Sequence, residues 1–194
     1  MVSKTFSAIA SVMIAALAAF TSCSTTRVLE DGQYRLARNK IEITNDKRIS
    51  PKEVDKYIQQ KANTSMLFGW NPFLNVYNWS GKDSDKFADR LLRKIGEAPV
   101  VYQPSLVDAS IENIIRHLEY LGYYNSKVTS EVKVNNRNVD VTYFVTVGDR
   151  YKIDKITYSV PGGEFSEDFY ADTLNLSVKR GDYLSEYALE QETP

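Results

Sequence analysis

Apolar positions in this chain follow two rhythms, every second residue in some stretches and every third or fourth in others, and the switches between them predict its elements. The segment from Tyr34 to Thr44 closes with Ile41-Glu42-Ile43-Thr44, a strand pattern with both isoleucines on one face. After a turn at Asn45-Asp46, Ser50-Pro51-Lys52-Glu53 predicts a helix start, with Ser as N-cap, Pro at the first helical position and Glu three residues on. Val54, Ile58 and Ala62 then recur four apart as its buried stripe. Phe87, Leu91 and Ile95 mark another helix, with Lys86, Arg90, Arg93 and Lys94 along its other side and Gly96 as C-cap. Ser105 with Asp108 opens the strongest helix pattern, whose core stripe is Leu106, Ile111, Ile114, Ile115, Leu118 and Leu121, and Gly122 ends it. Two alternating runs follow: Val128, Val132 and Val134 as one strand's inner face, and Val139, Val141, Tyr143, Val145 and Val147 as the other's, joined by a turn over 135–138. The expected order is strand, helix, further helical material, strand, strand, which is an α+β arrangement.

Between the first two helices lies Met-Leu-Phe-Gly-Trp-Asn-Pro-Phe-Leu-Asn-Val-Tyr-Asn-Trp, residues 66–79, which holds both tryptophans of the chain. Gly69 and Pro72 argue against one continuous helix there. The rings either cover a thin core or form a docking surface for a membrane interface or a partner, since an aromatic ring offers an apolar body with a polar edge. Trp70, Phe73, Tyr77 and Trp79 are the candidates for that contact. The four cations of 86–94 are either a solvated face or a contact for lipid phosphates or acidic clients.

Charge and composition narrow the function classes. With 24 basic and 25 acidic residues the chain is near neutral, which gives no electrostatic case for nucleic acid. Thirteen tyrosines and eight phenylalanines favour a packed, binding-competent chain over disorder. His117, the single histidine, sits between apolar helix positions, where a surface or boundary role is expected. There is no Gly-x-Ser-x-Gly, His-Glu-x-x-His or phosphate-loop pattern, and Gly148-Asp149 and Gly181-Asp182 read as turns. Neither an enzyme, a cofactor nor a metal site is expected.

The single cysteine carries the location. Lys4 is followed by an apolar run from Ala8 to Phe20, about 13 residues and too short to span a bilayer, then Thr21-Ser22-Cys23. A lone cysteine has no disulfide partner. The pattern resembles the lipobox of a bacterial lipoprotein, with Phe20 where most carry Leu. That resemblance implies cleavage before Cys23, acylation of Cys23 as the only covalent group, and, with Ser24 rather than Asp next, transfer to the outer membrane. No acidic run follows Cys23, which implies a periplasm-facing tether.

The carboxy-terminal half carries a second resemblance. A helix ending in Gly122-Tyr123-Tyr124-Asn125-Ser126-Lys127-Val128, then a hairpin ending in Val147-Gly148-Asp149-Arg150-Tyr151-Lys152-Ile153, resembles the POTRA (polypeptide-transport-associated) domain. Arg27-Val28-Leu29-Glu30-Asp31-Gly32-Gln33-Tyr34, Asn39-Lys40-Ile41 and Leu92-Arg93-Lys94-Ile95-Gly96-Glu97-Ala98-Pro99-Val100 are similar to the lipoprotein branch of outer-membrane assembly proteins related to BamA and TamA. The resemblance implies a β-α-α-β-β repeat with a small three-stranded mixed sheet packed on helices. It divides the chain into a signal peptide (1–22), a tether (23–33), a first POTRA-like domain (34–149) with an aromatic and cationic insertion at about 63–98, and an incomplete second one (150–194). In the latter, Tyr151 to Val160 is expected as a strand, Phe169 to Leu176 as a helix and residues 179–185 as the lead-in to another. The chain is expected to be part of a longer protein whose barrel domain lies beyond it.

That arrangement puts the strand of Lys127, Val128, Thr129, Ser130, Glu131, Val132, Lys133 and Val134 at a sheet edge. An edge can pair with an extended client or partner by strand addition, while Lys127, Glu131 and Lys133 guard it against aggregation. The expected function is capture of unfolded outer-membrane protein clients or an assembly partner. The alternatives are a structural scaffold and a small-ligand-binding lipoprotein using the segment from Trp70 to Trp79.

Overall fold

A computed structural model describes residues 25–46, 48–66, 70–81, 86–159, 162–163 and 178–191. In chain order it contains β1 (Arg35–Ile43), α1 (Pro51–Asp55), α2 (Pro72–Trp79), α3 (Phe87–Ile95), α4 (Pro104–Tyr120), β2 (Lys127–Asn135), β3 (Asn138–Thr146) and α5 (Glu186–Glu190). The strands form one sheet in the order β1-β3-β2. β2 and β3 are an antiparallel hairpin whose two turn residues, Asn136 and Arg137, both have positive φ (45° and 64°), the twist a two-residue hairpin turn requires. β1 runs parallel to β3: Arg35 N–H donates to Arg137 O at 2.8 Å, and ten residues on, Asn45 Nδ2 donates to Val147 O and Asn45 Oδ1 accepts from Val147 N–H. The sheet is therefore mixed, as expected.

The contacts divide the chain into two units. One comprises residues 1–39, 61–102 and 132–141, and the other 40–60, 103–131 and 142–194. In the first, Leu29, Leu36, Leu74, Val139 and Val141 are buried. The expected insertion holds two helices here. Pro72 opens α2 at its first helical position, where a missing N–H costs nothing. Asn63, itself buried, ties the approach to the strand: its Nδ2 donates to Ala98 O (2.7 Å) and Glu97 Oε1 (2.9 Å), and its Oδ1 accepts from Val100 N–H (3.1 Å). Residues 25–33, expected as a tether, carry Thr26 and Leu29 in buried positions.

In the second unit Val54, Ile58, Val107, Ile114, Leu118, Tyr123, Val128, Tyr143, Val145 and Val147 are buried. Ser50 Oγ accepts from Glu53 N–H as the sequence predicts, but α1 stops at Asp55, and Ile58 reaches the core from the turn beyond it while Ala62 is only half-buried. α4 begins at Pro104 rather than at a Ser105 cap, because proline supplies the helical φ directly. Its buried line is Val107, Ser110, Ile114 and Leu118, with the expected Leu106, Ile111, Ile115 and Leu121 half-buried beside it. Gly122, at φ +85°, ends the helix in the left-handed conformation.

His117 stacks on Tyr57 with ring centroids 3.9 Å apart, its Nε2 3.2 Å from Glu53 Oε1. Residues 151–159 form no strand; they pair at single points with 181–184, through Ile153 N–H to Asp182 O, Gly181 N–H to Ile153 O and Leu184 N–H to Tyr151 O. Ser185 then caps α5 through Ala188 N–H. The expected helix over 169–176 lies outside the described residues.

Candidate interaction surfaces

β2 has β3 as its single neighbour in the sheet, which places Lys127, Val128, Thr129, Ser130, Glu131, Val132, Lys133 and Val134 on an edge strand. The direction of each amide follows from the ladder. Odd-numbered residues of the β3 segment bond towards β1, as Arg137 O and both backbone groups of Val147 do. Even-numbered ones therefore bond towards β2, and the two-residue turn sets Asn138 opposite Asn135 and Asp140 opposite Lys133. On β2 it is then Ser130, Val132 and Val134 whose N–H and C=O point away from the sheet. β1's outer edge differs, because Leu36 N–H donates to Val100 O and Tyr102 N–H to Tyr34 O, closing its start.

The side chains of β2 depart from expectation. Val128 is buried, but Val132 and Val134 are 40% and 57% exposed. Val132 and Val134 lie opposite the buried Val141 and Val139, so the apolar face of the sheet reaches the edge strand uncovered. The edge thus offers free backbone groups and two apolar side chains on the same residues, with lysines and a glutamate between them.

The aromatic segment forms the second surface. Trp70 and Trp79 are 59% and 51% exposed and Phe73 is exposed as well, whereas Leu74 and Asn78 form the buried side of α2. Tyr77 is half-buried, and the Arg93 guanidinium lies 5.7 Å from its ring centroid. α3 is held to α2 closely: Glu97 N–H donates to Phe73 O at 3.0 Å, and a Cβ on Gly96 would come within 2.5 Å of Tyr77 N. Gly96 occupies the predicted C-cap position with φ −78°, so glycine is required there for this close approach and not for a left-handed turn. Phe87, Leu91 and Ile95, which the pattern assigns to one face, are all exposed.

A cavity of about 420 Å³ in the same unit is lined by Arg35, Arg38, Asn71, Asn135, Asn138 and Asp140 among others, and by none of the aromatic candidates. Burial pushes the Arg35 guanidinium's pKa down, with Asp140 opposing, while Arg35 Nε donates to Asn138 Oδ1 at 2.7 Å. Arg38 bonds the Asp140 carboxylate through Nη2 at 2.6 Å, which raises its pKa. Among the described residues no group of acidic, histidine or cysteine side chains has a metal-site arrangement, and no helix is long and apolar enough to cross a membrane. Cys23 and the preceding segment lie outside the described residues.

The POTRA resemblance implied an edge position for β2, which the strand order bears out, while the direction of its amides needed the register of the ladder and was not in the pattern of Val128, Val132 and Val134. The family model described as POTRA, surface antigen variable number repeat, matches residues 38–148. Comparison with curated proteins finds no match.

Proposed function

This chain belongs to the POTRA family, whose domains act as non-catalytic scaffold and binding modules in the assembly or translocation of outer-membrane proteins, and on that footing we propose its particular role. It is the periplasm-facing POTRA region of an outer-membrane lipoprotein, of the branch related to BamA and TamA. Cys23 carries the lipid, and the outer edge of β2 receives an extended client or an assembly partner as an added strand.

The observation that carries the reading is the outward set of backbone groups on Ser130, Val132 and Val134, two of which also expose their valine side chains. An incoming strand would gain main-chain hydrogen bonds at those three residues. The exposed valines would bury apolar surface against its side chains, at about 25 cal/mol per Å² removed from water. Lys127, Glu131 and Lys133 leave the edge soluble while it is empty.

Val132→Pro tests this directly. Proline removes an N–H that points away from β3, and edge strands tolerate it, so the hairpin should form as before. Capture of an extended, barrel-derived peptide should weaken by about tenfold, the equivalent of losing one hydrogen bond and some packing. Unchanged capture by a variant with unchanged thermal unfolding would sink the edge model.

A further inference from the structure

The packing of α3 is inverted relative to an ordinary amphipathic helix. Arg93 turns towards α2, its guanidinium 5.7 Å from the Tyr77 ring centroid, and grips the turn after that helix, with Nε donating to Ser80 Oγ at 3.1 Å and Nη2 to Gly81 O at 2.7 Å; Leu92 is half-buried beside it. Phe87, Leu91 and Ile95, spaced four apart along one line, are left 76%, 47% and 56% exposed. Lys86, Arg90 and Lys94 form the adjacent line at the same spacing and are exposed too. A helix that buries its amphipathic stripe in a core does the opposite. An outward apolar line bordered by an outward cationic line is the arrangement of a helix lying in a bilayer interface, apolar side chains below the headgroups and cations at the phosphates.

The start of the described chain is held against α2, close to Cys23 in sequence. Asn78, buried on α2, donates from Nδ2 to Thr25 O at 3.3 Å and accepts at Oδ1 from Val28 N–H at 3.4 Å. The backbone is therefore fastened to α2 only two residues after Cys23, a stretch of about 7 Å when fully extended. Thr26 and Leu29 are buried behind that clasp. A lipid on Cys23 would leave no long tether, and the unit holding α2 and α3 would sit at the headgroups.

We propose that α3 is a membrane-docking surface that takes anionic phospholipid headgroups, with Phe87, Leu91 and Ile95 in the acyl boundary and Lys86, Arg90 and Lys94 at the phosphates. The proximity part of the argument rests on the lipidation reading; the inverted packing does not. The occupant is a bilayer rather than a protein because the cations repeat in register with the apolar line, and each added lysine or arginine near an anionic surface contributes about 1 kcal/mol.

The test uses the full chain in vesicles of phosphatidylethanolamine and phosphatidylglycerol that contain a photoactivatable phosphatidylglycerol, with lipid adducts mapped by peptide mass. Adducts should concentrate on residues 87–95 and fall by about tenfold in Leu91→Glu/Ile95→Glu, since exposed apolar contacts govern interfacial binding. Both substitutions are at exposed positions, and unchanged thermal unfolding confirms the fold. Palmitate labelling of Cys23 is read on the same samples. Labelling lost with adducts on 87–95 retained removes the anchor reading and keeps the helix surface. Adducts absent from 87–95, equal in the variant, or replaced by crosslinks from that helix to one protein overturn the proposal.

Discussion

Asp46 shows how much one side chain can hold at a junction. Its carboxylate takes three bonds from the Arg48 guanidinium, at 2.6, 3.0 and 3.1 Å, and a fourth from Arg48 N–H at 2.8 Å, which together hold its pKa below the ordinary value of 3.8. Arg48 in turn lies 5.5 Å from the centroid of the buried Tyr123 ring. A carboxyl whose folded pKa is lowered contributes stability at neutral pH and loses it as pH falls below 3.8 through the lowered value. Asp46→Asn should therefore unfold at a lower temperature than the parent chain at pH 7, and the gap should close as the buffer is taken below that range. A gap independent of pH would mean the carboxylate's charge plays no part. None of this was legible beforehand, and Asn63 and Asn78 show why: Asn63 clasps the backbone of Ala98 and Val100 and Asn78 that of Thr25 and Val28, and local pattern carries no information about partners so far along the chain. Ser50, by contrast, bonds three residues along and was read correctly.

The strands of the sheet were legible because a period of two survives wherever one face is buried, whereas the strand expected from Tyr151 onward does not form over 151–159. Val139, Val141, Tyr143, Val145 and Val147 are buried as the alternation requires. The same rule failed for Val132 and Val134, since alternation reveals which residues share a face and not whether anything covers it. It failed for α3 in the same way, where a clean amphipathic pattern faces outward. Gly148 was read as a turn residue, yet it sits where Tyr124 and Asp149 exchange backbone bonds of 2.9 and 3.0 Å, and its own N–H donates to Ser126 Oγ. A Cβ there would lie 1.8 Å from Tyr124 O, so the strand end and the helix exit could not close together. Gly148→Ala should cost about 3 kcal/mol in denaturant unfolding, at the upper end of overpacking effects. Gly162→Ala, where a Cβ meets nothing within 4 Å, should stay within about 0.5 kcal/mol. Equal effects at the two sites would refute the close-approach account.

At the scale of the whole chain, the β-α-α-β-β order was readable because the Gly122-Tyr123 exit and the valine hairpin follow each other in sequence, and the family match over 38–148 includes that stretch. Of the insertion's two helices α3 was readable from its spacing and α2 was not, since Pro72 both forbids a longer helix and begins a new one. A POTRA region that works through the outer edge of β2 would be seen doing so by crosslinking in cells. Photoreactive side chains are placed at Ser130 and Val132 on that edge and at Lys40 on β1. The account predicts adducts to unfolded outer-membrane barrel chains from Ser130 and Val132, with few from Lys40, whose strand has its outer edge partly closed by Val100–Tyr102. Adducts to one stable partner alone would mark a scaffold, and equal labelling from β1 and β2 would contradict the edge mechanism outright.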